Sequence, residues 1–123
     1  MNDLAISQAL SYQSQNIDIY SNSWGPKDDG KTLGYMGPLT IAALEAGVSE
    51  GRDGLGSIYL WSNGNGLANK DYSNKDAYAN SRYTIAVGAI NWQGKQTSYS
   101  EFGPNILVSA PSHNNSELID AAV

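Results

Sequence analysis

The chain has 123 residues, 41% of them hydrophobic, with 13 glycines and no cysteine, a globular composition of single-domain size that excludes a disulfide framework and a thiolate metal site. Its net charge of −5, from 12 acidic and 7 basic residues, argues against nucleic acid or an anionic membrane surface as a partner and suits a cationic peptide. No run reaches the roughly 18 apolar residues needed to span a bilayer, and Met1 to Leu10 lacks the basic start and long apolar centre of an export signal.

Leu4, Ala5 and Ile6 ahead of Ala9 and Leu10 place a helical face over Asp3 to Leu10, and Ile17-Asp18-Ile19-Tyr20 alternates as a strand does. From Ser21 to Pro38 the punctuation by Gly25, Pro26, Gly30, Gly34, Gly37 and Pro38 marks a long irregular loop, and such loops in compact domains are usually functional. Leu39, Ile41, Ala42, Ala43, Leu44 and Val48 then recur at helical spacing, so a helix is expected over Leu39 to Ser49, with Gly51-Arg52-Asp53-Gly54 as its stop. A strand follows at Ser57 to Trp61. Beyond it the turn Ser62-Asn63-Gly64-Asn65-Gly66 opens a polar stretch to Ser81 that holds Asp71 and Asp76. The continuous apolar run Tyr83 to Ile90 reads as a buried parallel strand. A turn at Gln93-Gly94-Lys95 leads to Thr97 to Gly103, and Ile106 to Ser109 offers one more short strand.

This order implies an α/β architecture with a mostly parallel sheet and flanking helices. Ligands of open parallel sheets bind beyond the carboxyl ends of the strands, where both glycine-rich loops leave the sheet. Topology therefore gathers Asp28, Asp29, Asn65, Asp71 and Asp76 along one acidic rim.

The thirteen residues Tyr20-Ser21-Asn22-Ser23-Trp24-Gly25-Pro26-Lys27-Asp28-Asp29-Gly30-Lys31-Thr32 resemble the substrate-binding strand and loop of the kexin and furin type of subtilisin-like serine protease (peptidase S8). The likeness continues through Gly51-Arg52-Asp53-Gly54-Leu55-Gly56-Ser57-Ile58, Trp61-Ser62-Asn63-Gly64-Asn65-Gly66 and Tyr78-Ala79-Asn80-Ser81-Arg82-Tyr83-Thr84 to Tyr99-Ser100-Glu101, covering residues 15–111 in order. It implies a partial subtilisin-like fold, with 1–123 as the central part of a catalytic domain truncated at both ends.

In that family the asparagine of the Gly-Asn-Gly turn donates its amide to the oxyanion of the tetrahedral intermediate, which nominates Asn65; the alternative is a residue in a left-handed turn between two glycines. Asp28 and Asp76 match the acids lining the pocket for a basic side chain, which a guanidinium satisfies through charge-assisted bonds, although most loop aspartates are simply solvated. Asp28, Asp71 and Glu101 match the carboxylates of a calcium site beneath that pocket, and Ca2+ is a hard ion that takes six to eight oxygens. Against this, Glu101 reads equally as a surface turn residue. Ser23, Trp24, Gly25 and Pro26 match the edge that a substrate peptide joins by backbone pairing, with Trp24 a core aromatic on the alternative reading.

The resemblance also has gaps. No Gly-Thr-Ser nucleophile motif occurs in these residues, and His113, the sole histidine, stands in Pro111-Ser112-His113-Asn114-Asn115 rather than in a His-Gly-Thr context. A chain without the triad keeps at most the binding and oxyanion contributions and is expected to be inactive alone. The stretch Thr32-Leu33-Gly34-Tyr35-Met36-Gly37-Pro38 is longer than the furin loop and lacks its acid for a more distant basic residue, which puts dibasic preference in question. Unburied apolar sheet faces are expected as well. The expected parent is a calcium-dependent serine endopeptidase cutting after arginine or lysine, placed by resemblance outside the cytoplasm, at the membrane or in a periplasm. A non-catalytic peptide- or calcium-binding module derived from a subtilase is the alternative.

Overall fold

A computed structural model describes residues 2–113 of the chain. Asn2 opens helix α1 (Asp3–Ser11), its Oδ1 accepting the Ala5 N–H at 2.8 Å and so satisfying one of the donors a helix start leaves free. Beyond α1, Gln13 takes a left-handed φ of 49° and its carbonyl accepts the N–H groups of Asn16 and Ile17. This turn absorbs Ile17, so strand β1 (Ile19–Asn22) starts later than the alternation alone predicts.

Helix α2 (Pro38–Gly54) has proline in its first turn and no side-chain cap of its own at Gly37. Asp3 supplies the cap from α1, accepting from Leu39 N at 2.9 Å, Thr40 N at 3.0 Å and Thr40 Oγ1 at 2.6 Å. One carboxylate thus ties the two helices together, and the Thr40 hydroxyl foremost holds its pKa below the usual carboxylate range. Helical geometry breaks at Gly51, Arg52 and Asp53, the last two at φ 53° and 56°, in agreement with the stop expected there.

Strands β1, β2 (Ile58–Ser62), β3 (Ile85–Ile90) and β4 (Ile106–Pro111) form one sheet in chain order, every pairing parallel. The register sets Tyr20 beside Tyr59, Asn22 beside Trp61 and Trp61 beside Ala86. Tyr59, Trp61 and Ala86 are buried in one core with Ile6 and Leu10 of α1 and Leu44 of α2. Tyr59 stacks on Tyr20 at 4.8 Å and donates its hydroxyl to the Leu10 carbonyl at 2.8 Å. At Gly47 a side chain would fall on the Tyr59 hydroxyl, so the glycine is what lets α2 lie this close to β2. On the other face, Ile19 and Ile58, which share a register position, are 52% and 37% exposed, and Val108 is 49% exposed. Among the described residues the sheet is covered on one side only, which leaves unburied the apolar faces expected from the partial resemblance.

Between β2 and β3 the polar stretch folds into two short 3-10 turns, Leu67–Asn69 and Ser73–Lys75. The segment before β4 makes isolated bridges, Ile90 with Gln96 and Tyr72 with Phe102, rather than a strand.

Candidate functional site

β1 lies at one edge of the sheet, and the chain continues from it through Ser23, Trp24, Gly25 and Pro26. Ser23 and Gly25 are exposed, and the backbone N–H and carbonyl of Gly25 have no partner among the described residues. This segment therefore presents free backbone polar groups to a strand laid beside it. Trp24 packs against the core, as its alternative reading has it. Its ring is half-buried, edge-on to Trp61 at 4.7 Å and to Tyr78 at 5.0 Å, while Trp61 stacks on Tyr78 at 5.1 Å. The Trp61 indole donates to the Trp24 carbonyl at 2.7 Å, which fixes the path of the segment.

The two glycine-rich loops meet beyond the strand ends. The Asn65 N–H donates to Asp28 Oδ2 at 2.8 Å, and the Asn69 side chain donates to the Asp28 carbonyl at 2.7 Å. The positive φ of the turn falls on Gly64, at 100°, and not on Asn65, so the left-handed alternative for Asn65 does not hold. Asn65 is exposed, and its side-chain amide has no hydrogen-bond partner among the described residues. It is an uncommitted donor on a turn anchored through its own backbone.

Gly66 is where the acids converge. Its N–H donates to Glu101 Oε1 at 2.9 Å. A methyl group built on Gly66 would come 2.7 Å from Asp71 Cβ, 2.8 Å from Glu101 Oε1 and 3.0 Å from Asp28 Cβ. Glu101 and Asp71 are each 4% exposed, which excludes the surface-turn reading of Glu101. Burial foremost, with the charges of Asp28, Asp71 and Asp76 adding to it against the Gly66 N–H, pushes the Glu101 carboxyl up to about 7. Asp71 accepts from Gly30 N at 2.8 Å and from its neighbour Tyr72 N at 2.9 Å, with the Lys75 ammonium 3.5 Å away. Lys75 also donates to the Gly30 carbonyl at 2.9 Å.

Asp76 stands apart from that trio. Its Oδ1 accepts the Tyr78 N–H at 2.7 Å, and a Cβ on Gly25 would reach within 2.8 Å of its Oδ2. Burial foremost, with Asp28 and Asp71 adding and the Tyr78 and Ala79 N–H groups opposing, pushes its carboxyl up to about 6. Asp29, grouped with the rim by topology, serves its own loop by accepting from Lys31 N at 2.9 Å and Thr32 N at 2.8 Å, and these bonds hold it at about 2. His113 is exposed, its ring 5.9 Å from that of Tyr99.

Among the described residues no group of three or more histidine, cysteine, aspartate or glutamate side chains is placed to hold a metal ion. The donor set nevertheless fits a hard cation in kind. Asp28, Asp71 and Glu101 are oxygen donors crowded about a glycine, two of them buried, with one lysine within ion-pair distance of one member. Several contributors escape sequence reasoning. Asn63 braces Glu101 by donating to its carbonyl at 2.6 Å, Asn69 and Gly30 orient Asp28 and Asp71, and Lys75 enters the acidic cluster. Of these, Asn63 and Gly30 carried a signal, their places within the matching stretches Trp61 to Gly66 and Tyr20 to Thr32.

The described residues thus combine a parallel sheet, an acidic rim built around glycines beyond its strand ends, and an exposed segment at one sheet edge. The family model described as Subtilase family (peptidase S8) matches residues 1–122, and the chain belongs to that family of serine endopeptidases. Within it the chain is similar to proprotein convertase subtilisin/kexin type 5 of Rattus norvegicus, 43% identical over 114 residues that are 93% of the chain and 6% of the relative. It is 46% identical over 110 residues to proprotein convertase subtilisin/kexin type 4 of Homo sapiens, 89% of the chain and 15% of the relative. It is also 46% identical over 99 residues to PC3-like endoprotease variant B of Hydra vulgaris, 80% of the chain and 14% of the relative. The chain thus spans a small part of the length of each relative. Among the described residues no helix is long and apolar enough to cross a membrane.

Proposed function

We propose that this chain forms the substrate edge, basic-residue pocket and oxyanion turn of a calcium-dependent serine endopeptidase that cuts after arginine or lysine. The observation that carries the reading is the Gly64-Asn65-Gly66 turn, fastened to Asp28 through Asn65 N and to Glu101 through Gly66 N while the Asn65 amide stays free. With the turn's backbone fixed, only the Asn65 side-chain torsions remain to be ordered when charge develops on a substrate carbonyl, and donors of this type are worth roughly 2.7–4 kcal/mol of barrier.

Asp28 and Asp76 take the guanidinium or ammonium of the residue before the cut bond, and the strand edge from Ser23 to Pro26 aligns the peptide backbone. Asp76, partly protonated near pH 6, becomes fully ionised when a cation enters. Calcium, held by Asp28, Asp71 and Glu101, would neutralise the trio and hold the pocket floor rigid. The serine attack and the proton transfers belong to residues other than those in this segment, since no Gly-Thr-Ser motif is present in it.

The test is thermal unfolding of the chain with and without Ca2+, beside a fluorogenic arginine peptide. The reading expects a calcium-raised midpoint and peptide binding without cleavage. Cleavage by these residues alone overturns the division of labour, and a calcium-indifferent midpoint overturns the metal. Calcium and peptide binding by a natural protein ending where this chain ends would instead favour the non-catalytic module.

A further inference from the structure

Asp28 touches two parts of the proposed site at once. Its Oδ2 accepts the backbone N–H of Asn65 at 2.8 Å and its carbonyl accepts the Asn69 side chain at 2.7 Å, while its Oδ1 has no hydrogen-bond partner among the described residues. We propose that Asp28 is a positioning residue for the oxyanion donor: a basic side chain taken up by its free oxygen orders the Asn65 turn through the other one. Recognition of charge is thereby transmitted to the reacting end of the site. The inference deepens the reading of Asp28 and Asn65 given above and rests on it.

Two consecutive backbone N–H groups pin the turn, each on a carboxylate from a separate segment, Asn65 on Asp28 and Gly66 on Glu101. The two acids differ in access. Glu101 is 4% exposed, whereas Asp28 is only half-buried. Of the pair, Asp28 alone both holds the turn and remains open to a peptide.

The torsion that turns a carboxylate plane is broad, so an aspartate with one oxygen free samples orientations in which the bond to Asn65 is loose. A guanidinium is a planar fork, and charge-assisted bonds from it to Oδ1 restrict that torsion. Ordering Asp28 then orders the Asn65 N–H, and the entropy of fixing the turn is lost on binding rather than at the chemical step. Asp76 supplies the contrast. Its Oδ1 accepts the Tyr78 N–H at 2.7 Å, a Cβ on Gly25 would come 2.8 Å from its Oδ2, and among the described residues it makes no bond to the turn. Asp76 therefore contributes attraction alone, and Asp28 contributes attraction and order.

The test is hydrogen exchange of assigned backbone amides, followed by NMR on the chain in excess Ca2+. It compares a saturating arginine peptide with the same peptide carrying citrulline, whose side chain has the same shape and no charge. The arginine peptide should slow exchange at Asn65 N–H about tenfold beyond the citrulline peptide, while the amides of β3 should not distinguish the two. Asp76→Asn should weaken arginine binding and, at saturation, keep the effect at Asn65. Asp28→Asn retains an acceptor for Asn65 N–H but can turn an amide donor toward the guanidinium, and it should lose the effect even at saturation. If the two peptides differ in affinity yet protect Asn65 alike, or if Asp28→Asn keeps the full effect, the coupling is refuted while the basic pocket stands. The peptide comparison uses the unaltered chain, so it decides the matter even where Asp28→Asn does not fold. If arginine and citrulline peptides bind with equal affinity, the pocket and the coupling fall together.

Discussion

Replacing Gly66 by alanine tests whether the acids converge as described. Gly66 has an ordinary backbone, with φ −93° and ψ 15°, so an L-residue is conformationally allowed there and the cost is steric alone. The new methyl would press on Asp71 Cβ, Glu101 Oε1 and Asp28 Cβ at 2.7, 2.8 and 3.0 Å. These contacts lie on three chain segments that cannot all retreat in one direction. Overpacking of this kind costs about 1–3 kcal/mol, and loosening the charge-assisted bond from Gly66 N to Glu101 adds up to about 1.5–3 kcal/mol. The lower entropy of the unfolded alanine chain returns about 0.4–1 kcal/mol, leaving a net loss of about 1.5–5.5 kcal/mol. The assay is urea unfolding of both proteins in excess Ca2+ and in chelator. At 100-fold excess over the dissociation constant calcium should add about 2.7 kcal/mol to the wild type. In Gly66→Ala that increment should largely vanish, because the carboxylates it pushes apart are the proposed ligands. A variant of wild-type stability with an undiminished calcium increment would refute the convergence.

Four further outcomes are expected. Arginine-peptide affinity should fall as pH drops through about 6, because Asp76 is raised to that value by burial and a guanidinium binds only its ionised form; isothermal titration across the range checks this. The same raised value means that the stabilising contribution of neutral Asp76, complete below 3.8, is lost as pH rises through about 6, so without metal or peptide the chain should weaken over that interval in denaturant titrations. Trp61→Ala should cost about 3–5 kcal/mol in urea unfolding, since the ring is 1% exposed between Trp24 and Tyr78. Asn65→Ala should leave stability within about 0.5 kcal/mol, yet in an active protease carrying this segment it should lower kcat about 100- to 1000-fold with little change in KM.

Much of this arrangement was legible because it is periodic or contiguous. The apolar spacing from Leu39 to Val48 announced α2, and the unbroken run before Ile90 announced β3, since a strand buried in a parallel sheet has no polar side to reveal. The start of β1 was misplaced because the turn at Gln13 is stabilised by a left-handed residue that the sequence does not advertise. Contacts assembled from distant residues left no trace. Asp3 caps a helix that begins 35 residues later, and Ile6, Trp24, Tyr35 and Tyr78 line one cavity though far apart in sequence. The acidic trio was read from resemblance to a family rather than from spacing, and Lys75, its basic neighbour, was invisible because nothing local marks a lysine that folds back on Asp71 and Gly30.

The most direct test of the central claim is isothermal titration of one short arginine peptide into the chain, with and without Ca2+, and into Asp76→Asn. Removing one partner of a buried charge pair costs about 2–5 kcal/mol, so the account predicts calcium-dependent binding that weakens at least about thirtyfold in the variant. Binding of equal strength in all three samples would contradict it.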